Sequence, residues 1–109
     1  MKKLVFLGSS QDDVKEMPLS VRQAIGLELM VVQFGGVPSD FKPVKSIGDG
    51  VFELRVRMSG GAFRAIYIAR LPEAVYVLHV FQKKTQKTAK VDLELAMHRY
   101  RLLKRKRYD

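Results

Sequence analysis

The sequence predicts an α+β fold: a small antiparallel sheet of three to five strands, with an N-terminal helical hairpin and a C-terminal helix. Three observations predict it. Between Val51 and Phe81, three strand-length segments rich in β-branched and aromatic residues are separated by the turn signals Gly60-Gly61 and Leu71-Pro72-Glu73. On either side apolar residues recur at helical spacing, with Val21, Ile25, Leu29 and Val32 before and Leu93, Ala96, Met97, Tyr100 and Leu103 after. Finally, 109 residues that are 47% apolar suit one domain, spanning 1–109, with a modest core.

The elements follow in order. Leu4 to Leu7 reads as a short opening strand. Ser9, Ser10 and Asp12 offer helix caps, because their side chains can accept from free backbone N–H groups, and a brief helix is expected from Asp12 to Met17. Pro18 suits the first turn of a second helix, which Gly35-Gly36 ends. Residues 35–50 hold turns and at most a short strand near Val44 to Ile47. Val51 to Met58 alternates, with Phe52, Leu54, Val56 and Met58 on one side and Glu53, Arg55 and Arg57 on the other. Phe63 to Ala69 and Ala74 to Phe81 complete the sheet. The last helix is expected from Lys90 to Lys106, its apolar face packed inward and its basic residues outside.

Several function classes are excluded early. There is no cysteine, so neither disulfides nor thiolate metal sites are available. The zinc-protease, Walker and nucleophile-elbow motifs are absent, and the acidic residues are scattered, with Asp12-Asp13 the one adjacent pair. A catalytic metal is therefore not expected, and no cofactor is implied. The apolar run after Met1-Lys2-Lys3 is four residues, against the ~7–15 of a signal core. No segment approaches the ~20 apolar residues of a membrane span. The expected location is cytoplasmic, with no membrane partner.

Charge points toward a partner. The chain carries +9, of which +7 falls between Gln82 and Asp109. Such asymmetry steers a protein toward phosphates, and a nucleic acid fits better than a merely solvated tail. The stretch Ala74–Thr88 carries the strongest signal, because an apolar strand runs directly into Lys83, Lys84 and Lys87. Arg55 and Arg64 flank the Gly60-Gly61 turn, so a hairpin paired around it lets both reach one face. His79, Phe81 and Lys83 alternate along the last strand and share one face too, so with the two arginines they could line one shallow groove. Arginines could hold a phosphate, a lysine or histidine could move a proton, and Phe81 could stack on an unpaired base. Plainer readings stand beside these. His79 and Phe81 also suit a core, Glu53 suits an ion pair with Arg55 or Arg64, and Arg57, Arg70 and His98 suit solvent.

The runs V-F-E-L-R-V-R, G-G-A-F-R-A-I-Y, Y-V-L-H-V-F-Q-K-K-T-Q-K-T and D-L-E-L-A-M-H-R-Y resemble the RelE/HigB toxin superfamily, and most of all its phage-derived HigB-like branch. The resemblance covers about Val5 to Leu103. It implies a RelE-like compact sheet with flanking helices and an endoribonuclease that cuts mRNA, usually on the ribosome; the scattered acids add the expectation that it does so without a metal. It also implies an antitoxin partner, commonly a helix-turn-helix protein encoded beside it. Carried over by position, Arg55 and Arg64 match the family's strand arginines, and Lys83 or Lys84 its basic residues after the last strand. Lys42 and Lys45 fall where members often place further lysines. Tyr100 and Tyr108 match by type the family's C-terminal acid or base, and a lysine in a cationic cluster is another candidate base. The expected catalytic set is thus Arg55, Arg64, Lys83, Lys84 and His79, with RNA contacts from Lys42, Lys45, Phe81 and Lys87. The alternative is a non-catalytic module of this fold that binds RNA or an antitoxin.

Overall fold

The computed structural model of the chain describes residues 1–58 and 60–108. Its elements run β1 (Lys3–Phe6), α1 (Ser10–Lys15), α2 (Leu19–Gln33), β2 (Phe41–Pro43), β3 (Val51–Met58), β4 (Gly61–Ile68), β5 (Ala74–Lys83) and α3 (Lys90–Tyr108). The five strands form one sheet in the order β1-β5-β4-β3-β2. The α+β architecture matches expectation, but the sheet is mixed. β1 pairs parallel with β5, from Lys3↔Ala74 to Phe6↔Val77, because the two helices between β1 and the hairpins carry the chain back before the sheet is built. The remaining pairs are antiparallel.

Alternation in β3 and β4 divides the sheet into two faces. Leu54, Val56, Phe63, Ala65 and Tyr67 pack under α2, whose Val21, Ile25, Leu29 and Val32 are at most 4% exposed. Gly35, at φ 91°, ends α2 in a backbone region that β-carbon crowding closes to most residues. The opposite face takes Val51, Ile66, Ile68 and Leu78 under Ala96, Tyr100 and Leu103 of α3. There the Tyr100 ring lies so close to Gly48 that a β-carbon would meet it at 2.5 Å.

Four expectations shift. β2 lies at Phe41–Pro43, three residues before the expected strand, and Val44 and Ile47 are core residues instead. α1 begins at Ser10. The Ser9 hydroxyl makes no cap bond and donates to the Asp13 carboxylate at 2.9 Å. The basic residues of α3 are not all outside: Arg99 is 8% exposed and donates to Leu78 O and Ser9 Oγ. The fourth concerns β5, which is not a regular strand. Tyr67 faces Val77 while Ile66 faces His79, so Leu78 is an extra, bulged residue. The bulge changes parity. Val75 and Val77 point toward α2, and unbroken alternation would send His79, Phe81 and Lys83 the same way. After Leu78 those three side chains join Arg64 and Ile66 on the α3 face.

No helix among the described residues is long and apolar enough to cross a membrane.

Candidate nucleic-acid interface

On the α3 face the ladder stacks three cross-strand rows. Lys42, Glu53, Ile66 and His79 form the first, Arg55, Arg64 and Phe81 the second, and Arg57, Ala62 and Lys83 the third. Neighbours within a row sit on strands about 4.8 Å apart, so charges placed there interact strongly. Arg55 and Arg64 are direct partners in this register, which bears out their expected common face.

Arg64 is the centre of the cluster and is 2% exposed. Its Nε lies 3.1 Å from Glu53 Oε1, an ion pair without hydrogen-bond alignment, and its buried Nη1 has no hydrogen-bond partner. Burial lowers the Arg64 pKa first of all, and Arg55 and Arg57 push it the same way against the pull of Glu53. Glu53 is 1% exposed and also accepts from the Thr88 hydroxyl at 3.3 Å, tying the loop after β5 to the floor of the cluster. A buried guanidinium with an unsatisfied edge is a ready receptor for an oxyanion.

Arg55 stands differently. Its guanidinium is gripped by Asp40, Nε at 2.8 Å and Nη2 at 2.6 Å from Oδ1. A phosphate would have to take over from that carboxylate. The expected pairing of Glu53 with an arginine thus resolves in favour of Arg64, and Arg55 finds its acid elsewhere.

Lys83 sits where three adjoining depressions meet. One, of about 400 Å³, includes Lys42, Lys45, Glu53 and Lys87; a second, of about 490 Å³, includes Arg57, Arg64 and Lys84. The third continues past Arg57 and Lys84 to the Gly60-Gly61 turn. Together seven Lys and Arg line this groove, against the single acid Glu53. The Lys83 ammonium is held below the ordinary lysine range by desolvation first, then by Arg64 and Lys42. Lys42, Lys45, Lys84 and Lys87 are exposed along the groove, and Arg57, read from sequence as merely solvated, belongs to it.

His79 and Phe81 are placed otherwise than expected of ligand contacts. His79 is 6% exposed, with Nε2 2.7 Å from Asp92 Oδ1 and its buried Nδ1 unpartnered. The Phe81 ring, 7% exposed, stacks on His79 at 4.9 Å and 16°. The platform expected for a base is covered by the imidazole and the α3 core, so the ring packs within the fold. Tyr100 is likewise buried against Gly48, and the Tyr108 side chain lies outside the described residues. Asp40, Thr88 and Asp92 were missed in the sequence. Nothing in local spacing pairs them with Arg55, Glu53 and His79, although Asp92 does stand in the first turn of α3 where an acid is expected.

Among the described residues, no three His, Cys, Asp or Glu side chains come together to hold a metal ion.

The family model described as phage derived protein Gp49-like (DUF891) matches residues 12–101, from α1 into α3. No curated protein matches the chain significantly.

Proposed function

The chain belongs to the Gp49-like family of phage-derived proteins, and on that premise we propose that it is the toxin of a toxin–antitoxin pair. In this reading residues 1–109 form a single RelE/HigB-like domain that cuts mRNA in the cytoplasm, on translating ribosomes and without a metal. One observation carries the reading: a buried, under-partnered Arg64 in a groove with six further cations and one acid.

The chemistry needs no group beyond these residues. The 2′-oxygen attacks the adjacent phosphorus, the bond from phosphorus to the 5′-oxygen breaks, and a 2′,3′-cyclic phosphate and a 5′-hydroxyl result. Arg64 holds the charge that builds on the phosphoryl oxygens, with Arg55 joining once phosphate displaces Asp40. Lys83 takes the proton from the 2′-hydroxyl, a role that its lowered pKa favours. Lys84 returns a proton to the leaving oxygen. Lys42, Lys45 and Lys87 track the RNA backbone, while His79 and Phe81 hold the floor of the site in place. The partner that silences the toxin is an antitoxin, of the helix-turn-helix kind.

A second reading, a binding module without catalysis, is favoured by one observation. Arg55 and His79 are both already engaged by carboxylates. A translation reaction with 5′ ends mapped on the message, with and without ribosomes, decides between them. Cuts that need ribosomes and vanish in Arg64→Ala support the toxin. RNA binding without cuts supports the module. Cutting should also rise with pH at values below those of an ordinary lysine, and Lys83→Arg should remove that limb.

A further inference from the structure

A second depression lies away from the basic groove, between α3 and the turn joining β1 to α1. It measures about 830 Å³, and its walls include Leu7, Leu95, Leu102 and Leu103, with His98, Arg105 and Lys106 among the polar residues on its lining. Leu102 is 46% exposed, and one end of the stripe continues to Val91, 68% exposed. Val91, Leu95, His98 and Leu102 follow the spacing of one helix face, so they form a continuous ridge along α3. Arg99, donating to Leu78 O and Ser9 Oγ, fastens that ridge to the β1–α1 turn and keeps the groove's shape.

We propose that this groove docks an acidic amphipathic helix of a different protein. Charge selects the occupant. From Leu95 to Arg107 there are six Lys/Arg and no Asp or Glu, so a second copy would bring like charge against like. RNA suits the rim but not the floor, because Leu7, Leu95, Leu102 and Leu103 make the walls aliphatic and the His98 imidazole is the one ring on the lining. A helix with leucines at one face and carboxylates at its borders satisfies both parts at once. Leu95 stands one helical turn beyond Asp92, the residue that holds His79. A partner seated here therefore lies beside the loop that carries the basic groove. The proposal needs neither RNA cleavage nor the groove on the other side of α3.

The test is a titration of the full chain, 15N-labelled, with a synthetic amphipathic helix of about 20 residues. The probe carries Leu along one face and Glu elsewhere. A scrambled peptide of the same composition, an A-rich RNA oligonucleotide and anionic phosphatidylglycerol vesicles are run beside it. Shifts should centre on Leu7, Leu95 and Leu102. Leu102→Glu and, separately, Arg105→Glu with Lys106→Glu should each weaken binding at least tenfold, with the urea midpoint unchanged to show that the variants fold. Added salt should weaken it too. The proposal is overturned if the peptide does not bind, or if the scrambled peptide binds equally. Shifts confined to Lys83 and its neighbours, or a variant that binds as the parent does, would also sink it. So would coverage of Leu102 by RNA, by vesicles or by a second copy in place of the peptide.

Discussion

The two faces of the sheet come from the same strands and do opposite things. Under α2 the sheet residues are aliphatic or aromatic, and the helix meets them with four aliphatic side chains. On the α3 side the same strands bury Glu53, Arg64 and His79, and α3 adds Arg99. Burying charges costs several kcal/mol per ion unless partners compensate, on the order of the net stability of a small domain. A fold seeking stability alone would fill both faces as it fills the first. The contrast teaches that one face is apolar throughout, while the other sets buried charges beside an apolar cluster of its own under α3.

That contrast can be broken or sharpened by substitution. The largest effect should come from Glu53→Ala, which strands Arg64 without its carboxylate. A loss of about 3–5 kcal/mol is expected from urea denaturation. The paired change Glu53→Met with Arg64→Leu should instead hold stability or raise it by about 1–4 kcal/mol, while RNA binding by the groove is lost. If the double variant is as unstable as Glu53→Ala, charge burial is not what separates the faces.

On the other face, Leu54→Ala should cost about 2–5 kcal/mol through lost contacts and a cavity. RNA binding per folded molecule should be unchanged, read from the same denaturation curve and a filter-binding titration. A specific loss of RNA affinity would show that the two faces are not separable.

Tyr67, packed on the α2 face, is a titratable group. Burial raises the Tyr67 pKa to about 12, with the Glu28 carboxylate adding to the shift. The folded state thus favours the neutral phenol. Its contribution is fully present below the unfolded value of about 10 and disappears as pH rises to about 12, up to about 2–3 kcal/mol. Stability measured from pH 9 to 12 should fall along this limb, and Tyr67→Phe should flatten it. A smaller loss, about 1 kcal/mol, is expected from Asp92→Asn, which weakens the bond to His79. Smallest of all is Glu94→Ala, which removes an exposed pair with Lys90 at 3.7 Å and should shift the midpoint by less than about 0.5 kcal/mol.

Much of this was legible in the chain. The β3 span is the expected one, because Val51–Met58 alternates without a fault and its partner is set by a short turn. The apolar faces of α2 and α3 follow from 3.6-residue spacing alone. The common face of Arg55 and Arg64 follows from hairpin pairing, where register is local. The basic excess near the end of the chain announces the groove, since charge adds up whatever the fold.

Other features were decided only in three dimensions. The parallel pairing of β1 joins segments 71 residues apart, as Lys3↔Ala74. The grip of Asp40 on Arg55, of Thr88 on Glu53 and of Arg99 on Ser9 spans 15, 35 and 90 residues. Most telling is Leu78, one residue inserted in β5, which turns His79, Phe81 and Lys83 from the α2 side to the side of Arg64. The sequence by itself determined which residues repeat with helix or strand period, because periodicity is a property of neighbours along the chain. Which face the last strand offers to Arg64, and which carboxylate takes which cation, depended on packing. A single-residue shift of register reverses a strand's faces, and only the competing fit of both cores chooses it.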